Sequence, residues 1–284
     1  MNQVYLNAWN TRGTIAYGVA EILAGSENPT LQARARRLAS CGHLLRAHPD
    51  GKLSPAYACG DAICPCCGGR RERITCQYIN GLPKLLAAHD GDIVSACFTV
   101  QNVTAHNLRS ELGRINAVFT NHFLRALKYR LGTASYIKKL EVTQAVDGKA
   151  HPHIHAMLAL PHRWTDNYSM LTMWQDAGRM RDIVPDVYSR GVPPAEVIRE
   201  LRYILKQPLR INRRMLNDPS FILAAATSLY GIRTTSAGGA FRQFAVSRSQ
   251  SPVAHGPHDR VRLEWTGTEY QPLPAALASE AGPW

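Results

Sequence analysis

The stretch that decides the fold is His151-Pro152-His153-Ile154-His155-Ala156-Met157-Leu158-Ala159-Leu160. Its polar and apolar residues first alternate and then give way to a purely apolar run, which is typical of a β-strand with a buried far end. Alternation puts His153 and His155 on one strand face. Two imidazoles so placed can reach one divalent metal ion, with carboxylate or water completing its shell. A core strand with incidental histidines is the alternative. His151 shares their parity but lies nearest the turn, so we leave it outside the ligand set.

A second strand is predicted just before the histidine strand. Residues 136–146 have strand composition, and Asp147-Gly148 is a hairpin turn signal. If the hairpin is centred on Gly148, Glu141 lies opposite His155 and Thr143 opposite His153. Directly opposed residues of antiparallel strands share a face. Glu141 is therefore the candidate third metal ligand, in a register that a different turn would shift by a residue or two.

The cysteines predict a second metal site. All seven lie between residues 41 and 97. The first residues lack the pattern of a secretion signal, so we expect metal thiolates rather than disulfides. Cys64 and Cys67 form a C-x2-C knuckle followed by glycine, the tight turn that points two thiolates at one tetrahedral ion. The four predicted zinc ligands are Cys41, Cys59, Cys64 and Cys67. His43 could replace Cys41, and Cys66 could compete with Cys67.

The charge of the chain points to a polyanionic partner. Its 33 Lys and Arg residues exceed its 21 Asp and Glu residues, which gives a formal net charge of +12 and a pI near 9.6. Nucleic acid is the default partner of such a chain, and a membrane surface is the rival. No apolar run approaches the roughly 18 residues of a spanning helix. We therefore expect a cytoplasmic protein that does not enter a membrane. Arg70 and Arg71, directly behind the knuckle, suit phosphate contacts.

A tyrosine on a predicted helix adds a nucleophile. The segment between Pro194 and Pro208 has helical periodicity, and Tyr203 and Lys206 are neighbours on one of its faces. Lys206 and the adjacent Arg202 would favour the phenolate and bind phosphate. Tyrosine can attack phosphorus while a divalent metal polarises the scissile phosphate. The products would be a phosphotyrosine link to DNA and a free 3′ hydroxyl.

Taken together, these segments resemble the rolling-circle plasmid replication initiators, which are HUH endonucleases with a single catalytic tyrosine. The resemblance covers residues 41 to 242 in the right order. The matching blocks are Cys41-Gly42, Tyr57-Ala58-Cys59, Cys64 to Arg71, Phe98 to Val103, Leu140 to Thr143, His151 to His155, Arg202 to Lys206, and Arg233 with Gly238, Gly239 and Phe241.

The resemblance implies an α+β fold of the HUH, ferredoxin-like type. It implies a central antiparallel sheet of about five strands with flanking helices, the histidine strand in the centre and the tyrosine helix beside it. An N-terminal zinc-binding element would precede this sheet. The predicted segments are residues 1–40, a zinc element with a basic helix at 41–90, a catalytic domain at 91–246 and a tail at 247–284.

The resemblance also implies metal-dependent, sequence-specific nicking at a plasmid double-strand origin through a 5′-phosphotyrosine, followed by strand joining. His153, His155 and Glu141 would hold Mg²⁺ or Mn²⁺, Tyr203 would be the nucleophile and Lys206 would assist at the phosphate. The residues predicted to contact DNA are Arg70, Arg71, Arg202 and Arg233. The implied partners are origin DNA, a host helicase and a DNA polymerase, and a homodimer is left open.

One position departs from the pattern of the resembled family. Some members carry a glutamate four residues before the tyrosine, which activates water to end replication, but this chain has Arg199 there. Glu200 lies on a similar helical face and is the candidate to replace it. The alternatives are an HUH-type single-strand transposase, a water-using metal hydrolase, and a zinc-containing DNA-binding regulator without catalysis. The regulator would leave Glu141, the histidine pair and Tyr203 unexplained.

Elsewhere the sequence supports only local expectations. We expect residues 1–30 to be loosely ordered and residues 30–38 to form a short helix capped by Thr30. A helix from Arg70 should run to about Asn80, where Gly81 and Pro83 break or kink it, and a long amphipathic helix should span residues 108–131. Residues 161–193 are expected to be a connector with one helix at 168–177. The C-terminal tail should contain one hairpin, within residues 261–270.

Overall fold

The computed structural model describes residues 3–47, 53–66, 68–132, 134–161, 167–179, 185–243 and 262–273, with the backbone alone for 5, 47, 54, 68–77, 167, 185 and 262. The chain divides into two compact units that are each discontinuous along the sequence. The first unit comprises Met1–Glu72, Arg210–Ala226 and Pro252–Trp284, and the second comprises Arg73–Leu209 and Thr227–Ser251. The predicted functional segments 1–40, 41–90, 91–246 and 247–284 stay a prediction, because compactness alone assigns no role to a segment.

The second unit is built on a five-stranded antiparallel sheet. Its strands are β3 (Gly91–Val100), β4 (Ser135–Gln144), β5 (Ala150–Pro161), β6 (Pro185–Gly191) and β7 (Thr235–Gly238). Their order is β6-β3-β5-β4-β7, which places the histidine strand β5 in the centre. The predicted α+β fold with a five-stranded antiparallel sheet is confirmed. The expected connector at 161–193 is wrong in part, because β6 lies within it and forms an edge of the sheet.

The register of the β4–β5 hairpin differs from the predicted one by two residues. Glu141 pairs with His153, and Lys139 rather than Glu141 pairs with His155. The turn is centred on Asp147 instead of Gly148, as the hydrogen bond from Ala145 N to Lys149 O shows. Moving the centre of a hairpin by one residue moves each pairing by two, and a shift of two preserves the strand face. Glu141 therefore stays on the face of the histidines.

An aromatic core covers one face of this sheet. The predicted helix at 108–131 is confirmed, as α4 (Leu108–Ala117), a π-helical turn (Val118–Phe123) and α5 (Leu124–Leu131) in unbroken succession. Phe98 of β3 contacts three aromatic rings with centroids 4.7–5.1 Å away, and these rings belong to Phe119, Phe123 and Trp174. Trp174 comes from α6 (Asn167–Arg179), the helix predicted at 168–177. This interlocked packing makes the sheet a rigid base for its opposite face.

A second apolar cluster covers half of the opposite face. It joins Met157 and Ala159 of β5 to α7 (Val197–Ile204), to α9 (Ala240–Gln243) and to the end of α3 (Gly68–Ala88). The predicted end of this helix near Asn80 is wrong, since α3 continues through Gly81 and Pro83. Burial of Leu82 and Leu85 in this cluster stabilises that last part of the helix. The cluster stops at Met157, so the histidine half of the face is left for other side chains.

The first unit contains the helices α1 (Gln3–Ala24) and α2 (Pro29–Ser40) and a four-stranded sheet. Its strands, in the order β2-β1-β8-β9, are β1 (Leu44–Ala47), β2 (Leu53–Pro55), β8 (Arg262–Trp265) and β9 (Tyr270–Pro272). The predicted C-terminal hairpin is confirmed as β8 and β9, and its strand β8 pairs with β1. The remaining helix, α8 (Pro219–Leu229), crosses the division between the units.

The expected loose order of residues 1–30 is wrong. Trp9, Ala16, Val19 and Leu23 are buried along one side of α1, at the spacing of an amphipathic helix. The glycines that weaken this pattern in the sequence are close-packing positions, since a Cβ on Gly13 would lie 2.9 Å from the ring of Trp265. The predicted cap Thr30 is also wrong. The side chain of Asn28 accepts the hydrogen bond from Thr30 N at 2.9 Å and begins α2 one residue earlier.

Among the described residues, no helix has the length and apolar composition needed to cross a membrane.

Lys138 is an unusual core residue of the second unit, on the aromatic face of β4. Its side chain is 2% exposed, and its ammonium donates to Asn116 and, at 3.2 Å, to Thr120, above the ring of Phe119. Burial lowers the pKa of Lys138 from 10.5 to about 8. Between these two values the unfolded chain holds a proton that the folded chain has lost. The free energy of unfolding therefore rises as the pH rises through this window.

We expect Lys138→Met to abolish this pH-dependent gain in stability. The difference in unfolding free energy between wild type and variant should change by up to about 3 kcal/mol between pH 7 and pH 10.5, in favour of the wild type at high pH. Urea unfolding followed by circular dichroism measures it. Lys128→Met, at an exposed position of α5, is the control and should show no such change. A pH-independent difference for Lys138→Met would contradict the assignment.

Candidate active site

A buried carboxylate is the centre of the open half of the second unit's sheet. Glu141 Oε2 lies 2.9 Å from His155 Nε2, 3.2 Å from His153 Nε2 and 3.3 Å from Lys206 Nζ. Glu141, His153 and His155 are all less than 10% exposed. Neighbouring strands β4 and β5 supply the acid and the imidazoles, and the residues after α7 supply the lysine. Two imidazole nitrogens and one ammonium nitrogen thus surround a single carboxylate oxygen atom.

Burial and the histidines act in opposite directions on this carboxyl group. Burial alone would raise the pKa of Glu141. Hydrogen bonds and charge from His153 and His155 outweigh burial and lower the pKa from 4.5 to about 2. Glu141 is therefore an ionised carboxylate at neutral pH, as a metal ligand must be.

Outer hydrogen bonds orient the histidine rings. His153 Nδ1 lies 3.2 Å from the carbonyl oxygen of His151, which can only accept, so Nδ1 carries the hydrogen. The ring of His151 is held in turn by Asn102, with 2.8 Å between Nδ1 and Oδ1. The other ring nitrogen of His153, Nε2, therefore faces the carboxylate of Glu141 at 3.2 Å. A ring nitrogen and a carboxylate oxygen that face each other need a proton or a cation between them.

The oxygen atom Glu141 Oε2 lies at a suitable distance from each imidazole nitrogen to share a divalent cation with it. Ligand atoms bound at right angles to one Mg²⁺ lie about 3 Å apart. The distances from Glu141 Oε2 to the two imidazole nitrogens are 2.9 and 3.2 Å. Nitrogen and carboxylate donors are a set that Mn²⁺ also accepts. The sequence-predicted set of His153, His155 and Glu141 is thus brought together, although the predicted pairing of Glu141 with His155 was wrong.

Tyr203 lies directly beside this cluster. Its ring packs edge-on against His155 with centroids 5.3 Å apart, and Lys206 Nζ lies 3.9 Å from its ring centroid. Its side chain is 51% exposed, so a polymeric substrate can reach it. α7 ends at Ile204, earlier than the predicted end near Pro208, and this lets Lys206 turn back over the tyrosine. The helix is anchored by Val197, Leu201 and Ile204 in the apolar cluster.

Glu200 lies on the sheet side of α7, and each of its two carboxylate oxygens accepts a hydrogen bond. It accepts a hydrogen bond from Ser95 Oγ at 2.5 Å and another from Arg190 Nη2 at 2.6 Å. These bonds tie α7 to the neighbouring strands β3 and β6. Arg199 occupies the position at which some members of the resembled family have a glutamate. Its Nη2 lies 2.7 Å from Glu196 Oε2 on an exposed surface. The predicted role of Glu200 in activating water stays a prediction, and its contacts show a role in holding the tyrosine helix.

The sequence reasoning missed Cys97, Ser95 and Arg190. Cys97 lies opposite His155 in the β3–β5 register, and its Sγ is within 4.8 Å of the nearest ring nitrogens of both site histidines. Burial, together with the charge of Glu141, raises the pKa of Cys97 to about 11. Alternation along β3 would have placed Ser95 and Cys97 on one face. The pairing that turns this face toward the histidines had no local signal.

In the first unit, three predicted zinc ligands come together. The Sγ atoms of Cys41, Cys59 and Cys64 lie within 4.8 Å of one another. Sulfur ligands of one tetrahedral Zn²⁺ are about 3.8 Å apart, so this group fits the ion. The fourth predicted ligand, Cys67, lies outside the described residues. The alternative ligand His43 is turned toward Glu264, with 3.2 Å between Nε2 and Oε1, and its side chain is half exposed.

Cys66, the other alternative ligand, is buried close to the chain at Gly42. A Cβ on Gly42 would lie 3.2 Å from Cys66 Sγ, and Gly42 has a positive φ of 71°. Tyr270 donates its hydroxyl hydrogen to the carbonyl oxygen of the same glycine. Burial, and the nearby thiols, raise the pKa of Tyr270 well above its usual value. A glycine is thus required at residue 42 by both its backbone conformation and its close neighbours.

The predicted DNA-contacting arginines fall into two groups. Arg202 and Arg233 are exposed residues of the second unit, and Arg233 Nε donates to the carbonyl oxygen of Thr235 at 3.2 Å. The side chains of Arg70 and Arg71 lie outside the described residues, although α3 includes both positions. Arg202 is next to Tyr203 along α7.

Comparison with known proteins agrees with these features. A family model described as replication protein (Rep_1) matches residues 50–272. The chain is 25% identical over 278 residues to a protein named "Protein rep" from Streptococcus pneumoniae serotype 2 (strain D39 / NCTC 7466), covering 87% of this chain and 82% of that protein. It is 24% identical over 238 residues to a "Protein rep" from Lentilactobacillus hilgardii, covering 74% of each.

No solved structure matches the chain significantly. The family model, however, spans well over half of the chain and includes the candidate active site, together with Cys59 and Cys64 of the cysteine cluster. This protein therefore belongs to the replication protein family Rep_1 and is a plasmid replication initiator.

Proposed function

We propose that this initiator nicks one strand of its plasmid origin by attack of Tyr203 on the scissile phosphate. The observation that carries the proposal is the convergence on Glu141 Oε2 of both site histidines and of Lys206, whose ammonium also lies over the ring of Tyr203. A nucleophile, a cation and a ligand set for a divalent ion are thus within one small region. The ring of Tyr203 is half exposed, so DNA can reach its hydroxyl.

Residues of the chain have separate roles in the proposed step. The phenolic oxygen of Tyr203 forms a bond to phosphorus, and the bond from phosphorus to the 3′ oxygen breaks. The phenol loses its proton as it attacks, and the 3′ oxygen takes one up as it leaves. Lys206 and Arg202 offset the negative charge of the phosphate. His153, His155 and Glu141 would hold Mg²⁺ or Mn²⁺, which when bound polarises the phosphate.

The proposed product is a 5′-phosphotyrosine and a 3′ hydroxyl that can prime synthesis. The covalent link keeps the energy of the phosphodiester, so a later attack by a 3′ hydroxyl can rejoin the strand. Glu200 and its bonds to Ser95 and Arg190 position α7, so that Tyr203 faces His155. Activation of water by Glu200 remains part of the proposal for how the reaction ends.

The net charge of +12 supports origin DNA as the substrate, since phosphate contacts supply most of the affinity of such proteins. A host helicase and a DNA polymerase are proposed as further partners, and a homodimer is a proposed assembly. The single-strand transposase is less favoured because the family match is to replication proteins. A regulator without catalysis would not require the buried cluster around Glu141.

The first unit is proposed to hold one structural Zn²⁺. Cys41, Cys59 and Cys64 would supply three thiolates and Cys67 the fourth. The thiolates would tie the short strands β1 and β2 to the preceding helix α2.

Tyr203→Phe is expected to retain origin binding and to lose the covalent adduct, because only the attacking oxygen is removed. The adduct is measured in denaturing gels as a protein band that carries the label of a 3′-labelled origin oligonucleotide, with Mn²⁺ present. Tyr188→Phe is the matched control, since Tyr188 is an exposed tyrosine on the same sheet face, opposite Cys97. An adduct that persists in Tyr203→Phe would overturn the assignment, and its loss in Tyr188→Phe would reassign the nucleophile.

Glu141→Gln is expected to weaken Mn²⁺ binding by more than about tenfold and to reduce nicking in parallel, because the anionic ligand is lost. Free Mn²⁺ measured by electron paramagnetic resonance gives the affinity independently of activity. Asp147→Asn removes an exposed carboxylate from the same hairpin and serves as the control. Equal Mn²⁺ affinity in wild type and Glu141→Gln would remove the proposed metal site.

Cys64→Ser is expected to lose the zinc of the first unit and to lower its melting temperature, because a tetrahedral thiolate site fails without one of its ligands. Elemental analysis after dialysis, together with thermal unfolding, measures both effects. His43→Ala should keep the zinc. Retention of zinc in Cys64→Ser would contradict the site, and its loss in His43→Ala would make His43 the ligand in place of Cys41.

A further inference from the structure

The histidine pair of the second unit has a candidate partner on each side. β5 is the central strand, and its two neighbours each direct one metal-binding side chain toward His153 and His155. β4 supplies the carboxylate of Glu141, at 2.9 and 3.2 Å from the ring nitrogens. β3 supplies the thiol of Cys97, which with the same two rings forms a group of donor atoms all within 4.8 Å of one another.

The two sets of donors differ in the ions that they favour. Two imidazoles and a carboxylate suit Mg²⁺ and Mn²⁺, which prefer oxygen. Two imidazoles and a thiolate suit Zn²⁺, which binds sulfur strongly and is found with one or more cysteines and an open fourth position. At a shared site, Zn²⁺ also binds more tightly than Mn²⁺ in the general order of divalent affinities. The same pocket therefore offers a harder and a softer ligand set.

The pairing of β3 with β5 places Cys97 directly beside His155. The register Cys97↔His155 is one pair in a continuous β3–β5 ladder from Gly91↔Pro161 to Thr99↔His153, so a shift by one residue would break the whole ladder. Cys97 is partly exposed, unlike its neighbours Ala96 and Phe98, so an ion in solution can reach it. A cysteine that only filled space would be expected on the packed face of β3, where Ala96 and Phe98 lie.

We propose that Cys97, His153 and His155 form a second, softer ligand set that captures Zn²⁺ and so displaces the ion used for nicking. Binding replaces the thiol hydrogen by the metal, and the released proton passes to solvent. Glu141 would then lose its place as the third ligand. Zinc would thereby inhibit the initiator. The inhibition rests on the proposed nicking function, whereas the binding of zinc by Cys97 does not.

Co²⁺ is a spectroscopic probe of this set, because bound thiolate gives an intense near-ultraviolet charge-transfer band that imidazole and carboxylate do not. The full-length protein is first saturated with one equivalent of Zn²⁺ at the cysteine cluster of the first unit and then titrated with Co²⁺. Wild type, Cys97→Ser and Thr99→Ser are compared. Thr99→Ser is the matched control, since Thr99 lies on the same face of β3, opposite His153, and carries no sulfur.

The expected result is a thiolate band in wild type and in Thr99→Ser that is absent in Cys97→Ser, while circular dichroism shows all three folded. Zn²⁺ should also displace Mn²⁺, followed by electron paramagnetic resonance, at more than about tenfold lower concentration in wild type than in Cys97→Ser. If Cys97→Ser proves unfolded, Cys97→Ala takes its place in both measurements.

A band of equal strength in wild type and Cys97→Ser would overturn the inference, because the sulfur would then belong to other cysteines. Absence of the band in wild type would overturn it as well. Either outcome, with intact Mn²⁺ binding and a Tyr203 adduct, leaves the proposed nicking function standing. Loss of Mn²⁺ binding and of the adduct in wild type, with the band present, would refute nicking and leave the thiolate site.

Discussion

The buried carboxylate of Glu141 is the interaction on which the second unit depends. An ionised carboxylate that is 2% exposed is costly unless donors surround it, and removing one partner from such a group costs several times the free energy of a surface ion pair. The carboxylate belongs to β4, and its partners come from two other places in the chain, namely β5 and the segment just after α7. Strand register, helix placement and the reach of Lys206 must all agree for the oxygen to be satisfied.

The two faces of the five-stranded sheet have different roles. One face stabilises the fold, and the other carries the polar residues of the candidate active site. The aromatic face has Phe98 at its centre. On this face Lys138 is held by two acceptors, and Trp174 Nε1 donates to the carbonyl oxygen of Thr99. The other face is apolar at the Met157 end and polar at the His153 end. The apolar end packs against α7, and the polar end contacts Tyr203 of the same helix through His155. A rigid base on one face thus allows a fixed arrangement of polar groups on the other.

The short strands of the first unit are stabilised by contacts between segments that are far apart in the sequence. Its strands are three or four residues long, too short for a stable sheet without further support. The C-terminal hairpin β8–β9 pairs with β1, and Tyr270 packs against Trp9 and Trp265. The three clustered thiols lie in the same unit. Contacts between the two ends of the chain therefore contribute more to the stability of this sheet than the length of its strands.

The sequence by itself determined the local patterns: the shared face of His153 and His155, the Tyr203–Lys206 neighbours, the helix at 108–131 and the cysteine knuckle. Each follows from a period of two or 3.6 residues, or from a spacing within one turn, and these are properties of adjacent residues. Only the tertiary structure decided that Glu141 pairs with His153, that β6 and β7 complete the sheet, that α1 is ordered and that Cys97 faces the histidines. These depend on which distant segments pack together. A hairpin turn displaced by one residue, or an apolar face covered by a strand far along the chain, leaves no periodic signal in the sequence.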